Sequence, residues 1–169
     1  MNENPPSDTP VFDPAKLQAF EQRRLAEQNL PAAIGAGAVA ALVGAAVWAV
    51  VTVTSNYKIG WIAVGVGFIV GWAVRFAGKG VTKPFGIAGA VLALLGCALG
   101  DLLSLYGFAA NSTGTSFFTV IGMLPLEAVA HAFTESLQPM DFLFYAIAVY
   151  EGYKFSFRPV TAEELAGLS

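Results

Sequence analysis

Three long apolar stretches alternate with short polar turns along this chain: Pro31 to Thr54, Ile59 to Arg75 and Phe85 to Phe108. The first carries no charge, the second ends on its arginine, and the third contains only Asp101. At about 1.5 Å per residue each is long enough, as a helix, to cross a hydrocarbon core of about 30 Å. The turn between the second and third stretches is basic, with Arg75, Lys79 and Lys83, and is punctuated by Gly78, Gly80 and Pro84. A fourth stretch starts near Met140 and runs FLFYAIAVYEGYKFSF to Phe157, with Asp141 in its first turn and Lys154 and Arg158 at its end. The pattern predicts an all-α polytopic membrane protein with spans over 31–54, 59–76, 85–108 and 140–157.

The segments between and around the spans read differently. Residues 1–13 are acidic and proline-rich, with too little apolar area to offset ordering entropy, and are expected to be disordered. Asp13-Pro14 opens a helix that continues to Asn29, with Asp as N-cap and Pro in the first turn. Leu17, Phe20 and Leu25 give it a weak apolar side, and Arg23 and Arg24 precede the first span. It either rests on the membrane surface or stands solvated beside it. The first apolar run has no basic n-region with a short h-region before it, so it is expected to stay as an anchor. Beyond Phe108, AANSTGTSFFTVIGM reads as a polar turn and a short apolar stretch. Leu124-Pro125 then opens an amphipathic helix over 125–138, with Leu126, Val129, Phe133 and Leu137 on one face and Glu127, His131 and Glu135 on the other. The tail, PVTAEELAGLS, offers a capping box from Thr161 to Glu164. The organisation expected is a cytoplasmic segment over 1–30, a transmembrane domain over 31–158 and a cytoplasmic tail over 159–169.

Composition agrees with this pattern, since 12% of the residues are charged and 56% hydrophobic, whereas soluble chains carry roughly 25% charge. A net charge of −3, dispersed along the chain, gives nothing for a nucleic acid to bind. Cys97 is the single cysteine, which excludes an internal disulfide or a CxxC metal site and leaves it as a small packing residue. The basic residues fix orientation: with four spans, Lys16, Arg23, Arg24, Arg75, Lys79, Lys83, Lys154 and Arg158 fall on one side and only Lys58 on the other. The positive-inside rule then puts both termini in the cytoplasm and the 125–138 helix on the periplasmic side.

Small residues recur every four positions in the spans: Gly37 with Ala41 and Ala45, Ala40 with Gly44, Gly67 with Gly71, and Gly96 with Gly100. Such stripes let another backbone approach closely. GAVAALVGAAV from Gly37 also matches GAVLALLGCAL from Gly89 at most positions, which either reflects a parallel repeat or shared Ala/Gly/Val/Leu composition.

The segments GWIAVGVGFIVGWAVRFAGKG, FGIAGAVLALLGCALGDLLS and MDFLFYAIAVYEGYKFSFR resemble an uncharacterised family of small bacterial inner-membrane proteins with four helices. The resemblance covers residues 31 to about 158. It implies a bacterial inner-membrane setting and a four-helix bundle, and carries over no catalytic residue.

Candidate chemistry is sparse. Glu127, His131 and Glu135 share a helix row and are the only metal-ligand candidates, with a second copy needed to close the shell. No nucleophilic triad, Walker loop or dinucleotide fingerprint is present in the sequence, and no cofactor is expected. Asp101, Arg75, Glu151 and Lys154 are the intramembrane polar residues. Asp101 either snorkels to the outer interface or joins an acidic ring in an oligomer. Glu151 falls near mid-span, where an ionised carboxylate is costly, and is expected to face the bundle and bond Lys154 or Arg75, with Tyr150 or Tyr153 nearby. The leading functional expectation is a non-enzymatic scaffold or accessory subunit, in contact with lipid and with its own copies or a membrane-protein partner through the glycine faces. A small channel or transporter using Asp101 and Glu151 is the alternative, and a metal-dependent membrane enzyme the third.

Overall fold

The structure, a computed structural model, describes residues 13–167, so the disorder expected before Asp13 lies outside the described residues. Eight helices follow in order: α1 (Pro14–Ala26), α2 (Leu30–Ser55), α3 (Trp61–Gly78), α4 (Lys83–Thr113), α5 (Phe117–Met123), α6 (Leu126–Ser136), α7 (Pro139–Phe155) and α8 (Ala162–Ala166). Their starts follow local chemistry. Asp13 Oδ1 accepts from the Ala15 N–H at 2.9 Å, and Asn29 Oδ1 from that of Ala32 at 3.0 Å, each satisfying a donor that the first helical turn leaves free. The Thr161–Glu164 capping box forms in both directions.

α2, α3, α4 and α7 make the bundle. α2 and α4 run in the same direction, since an added Cβ at Gly37 would meet Leu92, one at Gly100 would meet Trp48, and one at Gly107 would meet Val53. α3 and α7 return the other way, with Trp61 against Phe144 near their starts and Phe68 against Phe155 further along. The core between them is built mostly of small side chains, including Ala33, Ala41, Ala63, Ala93, Cys97 and Ala148, around Val66, Val70, Val74 and Trp48. The large residues Val39, Leu42, Val43, Val47, Ile69, Trp72, Phe76 and Leu95 point outward. In water such an arrangement would expose far more apolar surface than a monomer tolerates, whereas lipid is as apolar as the side chains themselves. Three helices, α2, α3 and α4, are long and apolar enough to cross a membrane. The pair α5 and α6, bent by 105°, would make a fourth only if taken together. α7, the last bundle helix, has 17 residues and includes Asp141, Glu151 and Lys154.

Two boundaries differ from the sequence pattern. α4 does not stop at Phe108 but runs through AANST to Thr113, because Ser112 and Thr113 bond back to the Ala109 carbonyl and Gly114, at φ 63°, supplies the left-handed stop. The extra turns carry α5 and α6, which pack on Tyr106 and Ala110 through Val120 and Val129. Pro125, expected at the first helical position, is the N-cap of α6 instead.

Candidate functional site

The end of the bundle away from α1 and α8 holds most of the buried polar groups among the described residues. Lys58, in the loop between α2 and α3, reaches inward so that its Nζ lies 2.8 Å from Asp141 Oδ2 on α7 and 3.2 Å from Asp101 Oδ2 on α4. Asp101 is 4% exposed and Asp141 8%. The Tyr145 hydroxyl donates to Asp101 Oδ2 in a short hydrogen bond, and the Gln138 N–H donates to Asp141 Oδ2 at 2.9 Å. Asp141 also sits in the first turn of α7, where the helix dipole favours a negative charge. Asp101 therefore neither snorkels to the interface nor faces an oligomer axis: it points into its own bundle, where an ammonium and a phenol compensate it. Trp48 and Thr52, each 1% exposed and one turn apart on α2, leave the indole N–H and the hydroxyl without a partner. Trp48 abuts position 100 and meets the ring of Tyr145, the residue that holds Asp101, edge-on at 6.5 Å. A cleft of about 350 Å³, lined by Asn56, Lys58, Gln138, Asp141 and Phe144 among others, opens onto the group from outside.

The opposite end is closed by a clasp. Arg24, buried on α1, donates through Nη2 to the carbonyls of Arg158 and Pro159 at 2.6 and 3.2 Å. Arg158 in turn pairs with Glu27 at 2.7 Å and Glu164 at 2.6 Å. Gln28 Oε1 accepts from the Val81 and Thr82 N–H groups and from the Thr82 hydroxyl. α1 thus does not stand free: its arginine is engaged by the C-terminal segment. Hydrogen bonds from Arg158 and Arg23 hold Glu27 below the ordinary carboxylate range, and the Thr161 N–H does the same for Glu164.

Glu151 departs from its sequence reading. Neither Lys154 nor Arg75 bonds it, and among the described residues its carboxylate has no hydrogen-bond or ion-pair partner. Lys154 lies instead over the Tyr150 and Phe155 rings, at 5.4 and 5.9 Å, and Arg75 too is unpaired. The reason is direction: the backbone of α7 at Glu151 and Gly152 abuts Gly71, which leaves the Glu151 side chain on the rim of the α3–α7 seam, half-buried. Gly71 stands about 15 Å from the start of α3 and about 10 Å from its end, so Glu151 is level with the middle of that helix. Phe68, Trp72 and Phe76 form an aromatic ladder along the same seam.

The six glycines offered by spacing for contact with another chain face this chain's own helices. A Cβ at Gly37 would meet Leu92 and Val74, at Gly44 Val66, at Gly67 the Ala148 carbonyl, at Gly71 Phe155, at Gly96 Ala41 and Val66, and at Gly100 Trp48. Gly35 and Gly65 alone among the glycines of α2 and α3 have open space beside them. The Glu127, His131, Glu135 row is exposed on α6, with His131 Nδ1 3.5 Å from Glu135 Oε2, and among the described residues no three potential metal ligands converge. Cys97 is fully buried against the Ala63 carbonyl.

No protein-family model, curated protein or solved structure matches the chain. The Lys58 group was legible only as separate residues: each acid lies near a span edge, and Lys58 is the one cation on its side.

Proposed function

We propose that the chain is a non-enzymatic integral membrane protein of a bacterial inner membrane, with both termini in the cytoplasm, that assembles as a scaffold or accessory subunit of a membrane complex. Glu151 carries this reading. An unpaired carboxylate level with the middle of a membrane-length helix costs about 2.5 to 3.5 kcal/mol on insertion scales, and a partner chain that brings a cation removes the cost. The same seam supplies that cation, because Lys154 stands one turn from Glu151 and is held only by aromatic rings. A two-fold axis along the membrane normal would set Glu151 of one copy against Lys154 of another, with Trp72 and Tyr150 between them. The glycine stripes take no part in this contact, being occupied within the chain.

Native mass measurement of the detergent-purified protein tests the reading. The wild type should run as a multiple of 17.7 kDa, Glu151→Leu should fall toward the monomer, and Glu151→Lys combined with Lys154→Glu should restore the assembly. A monomeric wild type whose stability is untouched by Glu151→Leu would remove the basis of the proposal. Orientation is tested separately by cysteines at Asn56 and Ser112 in a Cys97→Ala background, which should react with an impermeant reagent from the periplasmic side.

A small channel or transporter is the second reading, favoured by the buried acid pair at Lys58. Solute flux into liposomes that is lost in Asp101→Asn would promote it.

A further inference from the structure

We infer that Asp101, Asp141 and Lys58 form a proton-binding site open to the end of the bundle away from the termini, with Asp101 the group that takes the proton. Two carboxylates share one ammonium, so the fully ionised group carries one negative charge in excess, in a place where solvent screens little of it. The charged and titratable groups around Asp101 are few. α2 has no ionisable side chain; the following loop gives Lys58, with Tyr57 exposed; α3 has no ionisable side chain at this end; α4 adds Cys97 and Tyr106; α7 adds Asp141 and Tyr145. No second cation offsets the excess.

Of the two acids, Asp141 has the better-kept charge, with the Gln138 N–H, the α7 dipole and the closer contact to Lys58. Asp101 is the more deeply buried and depends on Lys58 and Tyr145. A proton arriving through the cleft forms an O–H bond on Asp101, Lys58 remains an ammonium, and the group becomes neutral. Lys58 then pairs with Asp141 alone, and the ammonium link from α4 to α7 is released, leaving the Tyr145–Asp101 hydrogen bond as the tie at this end. The inference stands apart from the assembly reading, since it uses neither Glu151 nor a second chain.

Infrared difference spectra of the full chain in lipid nanodiscs, recorded between about pH 5 and 8, test it through the stretch of the protonated carboxyl group. The wild type should show a titrating carboxyl band that is lost in Asp101→Asn and kept in Glu151→Gln. Tyr145→Phe retains the acid and removes a donor to its charged form, so the band should titrate at higher pH, and Lys58→Met should move it further in the same direction. These two variants keep the test valid should Asp101→Asn fold poorly. A wild-type spectrum with no titrating carboxyl, a band that survives Asp101→Asn, or one unmoved by both Tyr145→Phe and Lys58→Met would overturn the assignment.

Discussion

The two ends of the bundle are both tied by charge, but in opposite ways. The end bearing the termini uses many partners, most of them near water: two backbone carbonyls on Arg24, two carboxylates on Arg158, three donors on Gln28. The far end uses one ammonium for two buried carboxylates. Redundant, hydrated ties lose little when one is cut, since water replaces the missing group. A single cation, itself partly exposed, has no substitute beside the two buried carboxylates, and its removal leaves two desolvated negative charges facing each other. Function is therefore easier to place at the far end, where one proton changes the whole arrangement.

The largest effect should come from Lys58→Met. The acids are buried while the Lys58 side chain is 29% exposed, so the loss should lie toward the low end of the about 3 to 5 kcal/mol that removing one partner of a buried ion pair costs, because the acids are stranded. Denaturant or thermal unfolding in nanodiscs should show that loss, and adding Asp101→Asn to Lys58→Met should recover much of it. If Lys58→Met unfolds like the wild type, the far end is hydrated and the contrast with the clasp disappears.

How much of this was legible follows the range of the interactions. α2 and α3, the capped start of α1 and the capping box of α8 are local, and Pro31, Asp13 and the Thr161–Glu164 pair announce them. The stop of α4 was misplaced by the polar string AANST, where hydroxyls bond back to the helix instead of ending it. The Lys58–Asp141 bond joins residues 83 apart, and nothing in either neighbourhood points to the other. Glu151 lies level with the middle of α3 but lacks the expected pairing, because spacing along α7 cannot say which way its backbone turns against Gly71. The glycine stripes were visible too, yet a four-residue spacing is the same whether the neighbour belongs to this chain or to another.

Packing away from charge gives a reference for both ends. Gly67→Ala would drive a Cβ into the Ala148 carbonyl, backbone against backbone, and overpacking of this kind costs about 1 to 3 kcal/mol. Gly35→Ala meets nothing within 4 Å and should be neutral or raise stability by up to about 1 kcal/mol through helix propensity. Unfolding of the two variants, measured alongside Lys58→Met, separates the cost of a lost charge from that of a forced seam. Equal behaviour of the two glycine variants would mean that α3 and α7 do not meet at Gly67.

Arg24→Ala should cost less than Lys58→Met, about 1.5 kcal/mol for the loss of charge-assisted hydrogen bonds to two carbonyls that water then reaches. Its sharper readout is local. Hydrogen-exchange protection of the Arg158 amide, which donates to the Gly80 carbonyl, should fall while the melting of the bundle changes little, and a large fall in bundle stability would show that the clasp is no more redundant than the far end.

The smallest effect is the response of the clasp to acid, and its direction follows from Glu27 and Glu164. Both carboxylates are held below their ordinary value of 4.5, Glu27 first by Arg158 and then Arg23, Glu164 first by the Thr161 N–H. A group whose folded value is depressed binds its proton more readily when released, so its contribution is complete above about pH 4.5 and is lost as the pH falls through the lower, folded values. Above that point the clasp should be indifferent to pH. The amide of Arg158, which donates to the Gly80 carbonyl at 2.8 Å, reports the docking of the C-terminal segment through its hydrogen-exchange protection. Protection, corrected for intrinsic exchange, should stay level down to about pH 4.5 and then decline, and Glu164→Gln should flatten part of that decline. A clasp that loosens in the same range as the Asp101 band would mean that one titration governs both ends, and the difference in how they are tied would not be a difference in how they respond.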